Sequence, residues 1–241
     1  MKLFLTSAGI VSEIADGFFK LLGKNSKDCR LIFVPTAADP ETDEWFVEFV
    51  KKDRKRLVEF GFDVCEVDLK KETEISLENK FADADVVYIE GGNTFYLLDW
   101  IRKSGFDKAV KKFLKRGGIY VGVSAGSIIA GLNIESANWE PADRNVVGLK
   151  DLTAMKLVDF AITPHYCSKF AAAVGEAASK TDYATIALTD QQAVLVNSAK
   201  IDIIGPGEKI IFNNQAMKAA QERGRELSLE ELKEVFQKAK D

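Results

Sequence analysis

The feature that most constrains this chain is an alternation: short β-branched or aromatic runs are separated by stretches with helical apolar spacing. Runs at 2–6, 30–35, 63–69, 85–90 and 118–123 read as strands. Between the first two, Val11, Ile14, Phe18, Leu21 and Leu22 fall on one helical face. Between the second and third, Phe46, Phe49, Val50, Leu57 and Phe60 do the same, with Gly61 placed to end the helix. Phe106, Ala109, Val110 and Phe113 repeat the pattern before Gly117. Strands joined through helices lie parallel, and a parallel sheet is covered on both faces. The expected fold is therefore α/β, a three-layer α/β/α arrangement around a mostly parallel central sheet.

After a strand at 158–163 the texture changes, because the runs at 193–197, 200–204 and 209–212 are only two to four residues apart and read as hairpins at a sheet edge. Ser228-Leu229-Glu230-Glu231 is a capping-box start for a last helix with Leu229, Leu232, Val235 and Phe236 on its apolar face. No internal repeat or linker interrupts the chain, so one domain over 1–241 is expected. A net charge of −4, with no dense basic block, argues against nucleic acid as a partner. The N-terminus has too short an apolar run for a signal peptide, and the longest apolar stretch, 121–132, is broken by serines and glycines; a cytoplasmic protein with no membrane partner is expected. Cys29, Cys65 and Cys167 show no paired spacing and suggest neither disulfides nor a metal site.

In an open parallel sheet, ligands bind beyond the carboxyl ends of the strands. Three of those ends are chemically unusual. Gly122-Val123-Ser124-Ala125-Gly126 lies between a strand and a helical run containing Ile128, Ile129 and Leu132, the context of a nucleophile elbow. The plain alternative is a glycine-rich turn with an ordinary N-terminal serine. Glu90-Gly91-Gly92-Asn93-Thr94 ends a strand and opens a helix over 95–101; the Gly92 N–H, with that of Ala125, could complete an oxyanion hole. Alternatively, Asn93 only caps that helix. Thr163-Pro164-His165-Tyr166 carries the only histidine in the chain, placed where a base could meet Ser124. A carboxylate to orient His165 could be Asp190, Glu135, Glu140, Asp143 or Asp159, and spacing does not choose among them.

Together, Gly-Gly-Asn-Thr-Phe at 91–95, Gly-x-Ser-Ala-Gly-Ser at 122–127 and Pro-His-Tyr at 164–166 resemble the serine peptidases of the dipeptidase E (aspartyl dipeptidase) and cyanophycinase family, over about residues 1 to 212. The resemblance implies a fold like that of class I glutamine amidotransferases, with serine in place of their cysteine. It implies Ser124 as nucleophile, His165 as general base and acid, Gly92 and Ala125 as oxyanion donors, and Asp190, in Leu188-Thr189-Asp190-Gln191, as the third triad member. Asn93 and Tyr166, within the same motifs, become candidate substrate contacts.

One departure bears on substrate. The aspartyl dipeptidases resembled here read an acidic side chain with an arginine soon after the histidine motif, and this chain has none between Arg144 and Arg223; Lys169 and Lys180 do not reproduce a bidentate clamp. The expected activity is hydrolysis of small peptides through an acyl-enzyme, with no metal or organic cofactor. An esterase using the same serine, or a non-catalytic module holding a small ligand, are the alternatives.

Overall fold

The computed structural model describes residues 1–212; the helix expected after Ser228 lies outside them. A seven-stranded sheet organises the molecule. Its strands are β1 (Lys2–Thr6), β2 (Arg30–Val34), β3 (Asp63–Glu66), β4 (Val86–Ile89), β5 (Ile119–Val123), β8 (Ala193–Asn197) and β9 (Lys200–Ile204), in the spatial order β3-β2-β4-β5-β1-β8-β9. The first five are mutually parallel, while β8 pairs antiparallel with β1 and carries β9 as an edge hairpin, as the sequence suggests.

Both faces of the sheet are covered, which is why β4 and β5 are buried along their whole length instead of alternating. On one face Phe4, Phe33, Tyr88 and Val121 meet Ile14, Phe18 and Leu21 of α1 (Ser12–Leu22) and Leu57 of α2 (Glu44–Glu59). On the other, Leu5, Ile32, Ile89 and Tyr120 pack against α3 (Glu74–Phe81), α4 (Thr94–Ser104) and α5 (Phe106–Lys115), through Leu77, Phe81, Leu98, Val110 and Phe113. The three expected layers are present.

Helix α2 departs from its pattern. Phe46, Phe49 and Val50 are only half-buried, Trp45 is 70% exposed, and the residue buried beside Leu57 is a carboxylate, Asp53. The reason is positional: the first turn, with Trp45 and Phe46, overhangs a cleft instead of the core. Helix α3, which the sequence reading did not place, opens on a capping box between Thr73 and Ser76.

A second, three-stranded sheet holds β6 (Ala161–Thr163), β7 (Thr185–Ala187) and β10 (Ile210–Phe212), ordered β10-β7-β6. Strands β6 and β7 run parallel across α7 (Ala171–Ser179). This corrects the expectation that 209–212 continues the edge hairpins, because β10 pairs with β7 instead. The turn after β9 diverts the chain: Gly205, at φ +100°, leaves only 2.0 Å between a would-be Cβ and the Gln191 carbonyl oxygen. The Gln192 amide then donates to the carbonyls of Pro206 and Glu208 at 2.7 and 2.9 Å. The helix expected to run from Ser124 towards Leu132 is a single turn, α6 (Ala125–Ile128). The N–H groups of Met155 and Leu157 take the carbonyls of Ile129 and Ala130 that a longer helix would have used.

Candidate active site

The carboxyl ends of three neighbouring strands, β4, β5 and β1, supply one half of the site. After β5, Ser124 holds φ +47° and ψ −109°, a combination that costs a non-glycine residue about 1–3 kcal/mol and persists only where the surroundings enforce it. They do so here. The Ser124 N–H donates to the Thr6 carbonyl at 3.0 Å, and the Tyr120 hydroxyl, buried below, donates to the Gly126 carbonyl at 2.6 Å. A Cβ at Gly122 would lie 2.4 Å from the Gly126 oxygen, and one at Gly126 would lie 2.4 Å from the Ile89 oxygen, so both glycines are required by close backbone approach.

The other half comes from the smaller sheet. His165 follows β6, also at positive φ (+58°), with Nε2 2.9 Å from Ser124 Oγ and Nδ1 2.7 Å from Asp190 Oδ1. The structure thus joins Ser124, His165 and Asp190 in one chain of contacts. Asp190 lies just beyond β7, the neighbour of β6, so the small sheet carries both the imidazole and its carboxylate. Its hydrogen bond with His165 holds the Asp190 carboxyl below the usual aspartate range, against the opposing effect of burial. Of the other candidate carboxylates, Glu135 accepts from the Tyr183 hydroxyl, Asp143 accepts the Thr94 N–H at 2.8 Å, Asp159 is exposed, and Glu140 lines the cleft; the His165 ring nitrogen is hydrogen-bonded to Asp190.

Gly92, at φ +134°, sits where a Cβ would fall 2.2 Å from the Ala37 carbonyl oxygen, so only glycine fits. Among the described residues neither the Gly92 N–H nor the Ala125 N–H donates to any protein acceptor, and Ala125 opens α6, where N–H groups have no helical partner. Asn93 is the cap of α4: Oδ1 accepts the Tyr96 N–H at 3.0 Å, and Nδ2 donates to the Arg144 carbonyl at 2.8 Å. Both ends of its side chain are therefore occupied by the fold. Tyr166 packs its ring edge-on against Phe212 and does not line the cleft.

Sequence reasoning missed Ser7. Its Oγ accepts the His165 N–H at 2.6 Å and donates to the Leu188 carbonyl at 3.3 Å, tying the main sheet to the histidine. The signal was available, since Ser7 immediately follows β1 at its carboxyl end. Above Ser124 and His165 opens a cleft of about 270 Å³, walled on one side by Glu41, Trp45 and Phe46 and on the other by Trp139, Glu140 and Asp143. Among the described residues no lysine or arginine lines it, and burial together with the charge of Asp143 pushes the Glu41 carboxyl up, with Arg144 acting in the opposite sense. Lys169 lies over the Phe170 ring and Lys180 pairs with Glu176, both outside the cleft. A larger hollow, about 430 Å³, lies at the opposite end of the strands, far from this chemistry; two of its charged groups, Lys24 and Asp85, pair with each other.

With the geometry in view, similarity to known proteins converges on one group. The model of peptidase family S51 matches residues 3–204. An uncharacterized peptidase of Pasteurella multocida is 30% identical over 200 residues, covering 82% of this chain and 94% of that protein. An uncharacterized peptidase of Listeria monocytogenes is 34% identical over 167 residues, covering 68% and 78% respectively. A Peptidase E of Shewanella denitrificans is 28% identical over 154 residues, 64% of this chain and 60% of its own. Among solved structures, a candidate Peptidase E from Listeria monocytogenes superposes with a TM-score of 0.71 at 26% identity, covering 86% of this chain and 98% of that one.

Proposed function

The chain belongs to peptidase family S51, and from that premise we propose that it is a serine peptidase that hydrolyses short peptides through an acyl-enzyme on Ser124. The observation that carries this reading is the pair of contacts through one imidazole, 2.9 Å to Ser124 and 2.7 Å to Asp190, beside two N–H groups with no acceptor among the described residues.

In this mechanism His165 Nε2 takes the hydroxyl proton as Ser124 Oγ bonds to the scissile carbonyl carbon. The negative charge that develops on the carbonyl oxygen is held by the Gly92 and Ala125 N–H groups. The imidazolium, steadied by Asp190, gives its proton to the departing amine as the C–N bond breaks and leaves a serine ester. Water then attacks that ester, losing a proton to Nε2, and the proton returns to Ser124 as the acid product departs. Every proton passes through His165, so the scheme calls on no metal or organic cofactor. The three free cysteines fit a cytoplasmic setting.

The substrate expected is a short peptide, because the cleft of about 270 Å³ is small. Its acidic lining, with no lysine or arginine among the described residues, disfavours N-terminal aspartate as the preferred residue. The test is hydrolysis of a panel of dipeptides and short peptides varied at the N-terminal residue, beside purified Ser124→Ala and His165→Ala. Each variant should keep its melting temperature and lose at least about a thousandfold in kcat. Wild-type turnover in either variant would exclude the mechanism. Turnover of esters without peptides would move the same serine to an esterase.

A further inference from the structure

Directly beneath the oxyanion turn lies an acid the mechanism does not use. Glu90 immediately follows β4 and is fully buried; its Oε1 accepts the Gly91 N–H at 2.8 Å, while Oε2 is sealed from solvent without a well-formed hydrogen bond among the described residues. Against its carboxyl stands a second one, that of Asp53 from α2, 1% exposed. Asp53 accepts from the Tyr88 hydroxyl and, at 3.0 Å, from Arg56 Nη1. The groups facing Glu90 are thus Asp53 and Arg56 from α2 and the hydroxyl of Tyr88 from β4.

Such a cluster is a costly way to fill a core, since a buried acid pair is less favourable than apolar packing of the same volume. Its position relates it to the site from two sides. The Gly91 peptide that Glu90 grips lies against the nucleophile, for a Cβ at Gly91 would come within 3.1 Å of Ser124 Cβ. Above Asp53 runs the turn after β1, where a Cβ at Gly9 would lie 2.7 Å from Asp53 Oδ1, and that turn includes Ser7, the acceptor of the His165 N–H.

Resting on the peptidase reading above, we propose that Glu90 is a positioning residue: its carboxyl, braced by Asp53, grips the Gly91 N–H and so holds the Gly91-Gly92 turn beside Ser124 as an oxyanion donor. One proton is shared between the two acids, because two unscreened negative charges beside a single guanidinium would repel. Burial, the largest cause, pushes both carboxyls above their ordinary range.

The experiment compares wild type with Glu90→Ala, Glu90→Gln and Asp53→Asn by two readouts: peptide turnover, and covalent labelling of Ser124 by a small fluorophosphonate, whose phosphoryl oxygen uses the same donors and needs no known substrate. Glu90→Ala should lower kcat and the maximal labelling rate by about ten- to a hundredfold while KM and probe affinity stay within about threefold, the pattern of an interaction made in the transition state. Glu90→Gln, which keeps an oxygen for the Gly91 N–H, should recover to within about threefold of wild type. Should Glu90→Ala not fold, Asp53→Asn must show the same fall in maximal rate at unchanged affinity. A Glu90→Ala protein that melts lower yet labels at the wild-type maximal rate overturns the inference and leaves the peptidase reading standing. Wild type that neither turns over peptides nor labels at Ser124 refutes both.

Discussion

At the scale of single residues, the site is held together by groups that never touch substrate. Ser7 is the simplest case: Ser7→Ala leaves the His165 N–H without its acceptor, a loss of about 1–3 kcal/mol in unfolding free energy, and it frees an imidazole whose placement sets the rate. Denaturant unfolding and kcat should fall together, the latter by about ten- to a hundredfold; an unchanged kcat would show that β6 alone positions the ring. Asp190 is expected to behave differently. Its side chain is 63% exposed and its partner 39%, so Asp190→Asn should change stability by under about 1 kcal/mol while lowering kcat on the order of a hundred- to ten-thousandfold. Because the hydrogen bond to His165 holds its pKa below the ordinary aspartate range, the small stabilisation is complete above that range and is lost as pH falls through the folded value. Ser124 and His165, which the structure brings within 2.9 Å of each other, could be singled out in the sequence because both follow strand ends, whereas Asp190 was singled out only by the family resemblance. Asp53 and Glu90 were not, since a carboxylate on an apolar helix face or strand reads as solvated until its burial is seen.

At the scale of elements, the turns matter more than the helices and strands they join. The β4–α4 turn is the clearest example. A methyl group at Gly92 would meet the Ala37 carbonyl oxygen at 2.2 Å while forcing an L residue to φ +134°, so Gly92→Ala should destabilise by more than about 1 kcal/mol and remove activity together. A stable, active variant would show that this turn can be rebuilt. Periodicity made β1, β8, β9 and the buried faces of α1 and α5 readable, because each pattern is complete within its own segment. It could not assign β10 or reveal β7, three-residue strands whose identity depends on distant partners. Nor could it place α7, whose alanine-rich sequence Ala-Ala-Ala-Val-Gly carries little apolar contrast. The short α6 has the same kind of cause, since the competing acceptors are claimed by residues 155–158.

At the scale of the whole molecule, the buried acids set the response to pH. Folded, Asp53 and Glu90 keep a proton that the unfolded chain sheds by neutral pH, so the native state binds more protons and stability must fall as pH rises above the ordinary carboxylate range. While one proton separates the two states the slope is about 1.4 kcal/mol per pH unit, and Glu90→Gln should flatten it in denaturant titrations between about pH 5 and 8. An equal slope in the variant would place its source outside the pair. The division of the site between two sheets has a consequence for synthesis. Strand β1 leaves the ribosome first, yet its two flanking partners, β5 and β8, are made much later, and the histidine follows its serine by forty-one residues. A growing chain that has reached Thr163 carries the nucleophile without the base. Until β8 is translated, β1 has one bare edge, and the contact chain from Ser124 through His165 to Asp190 can close only after residue 190 has been made, so in the proposed mechanism synthesis itself times the onset of chemistry.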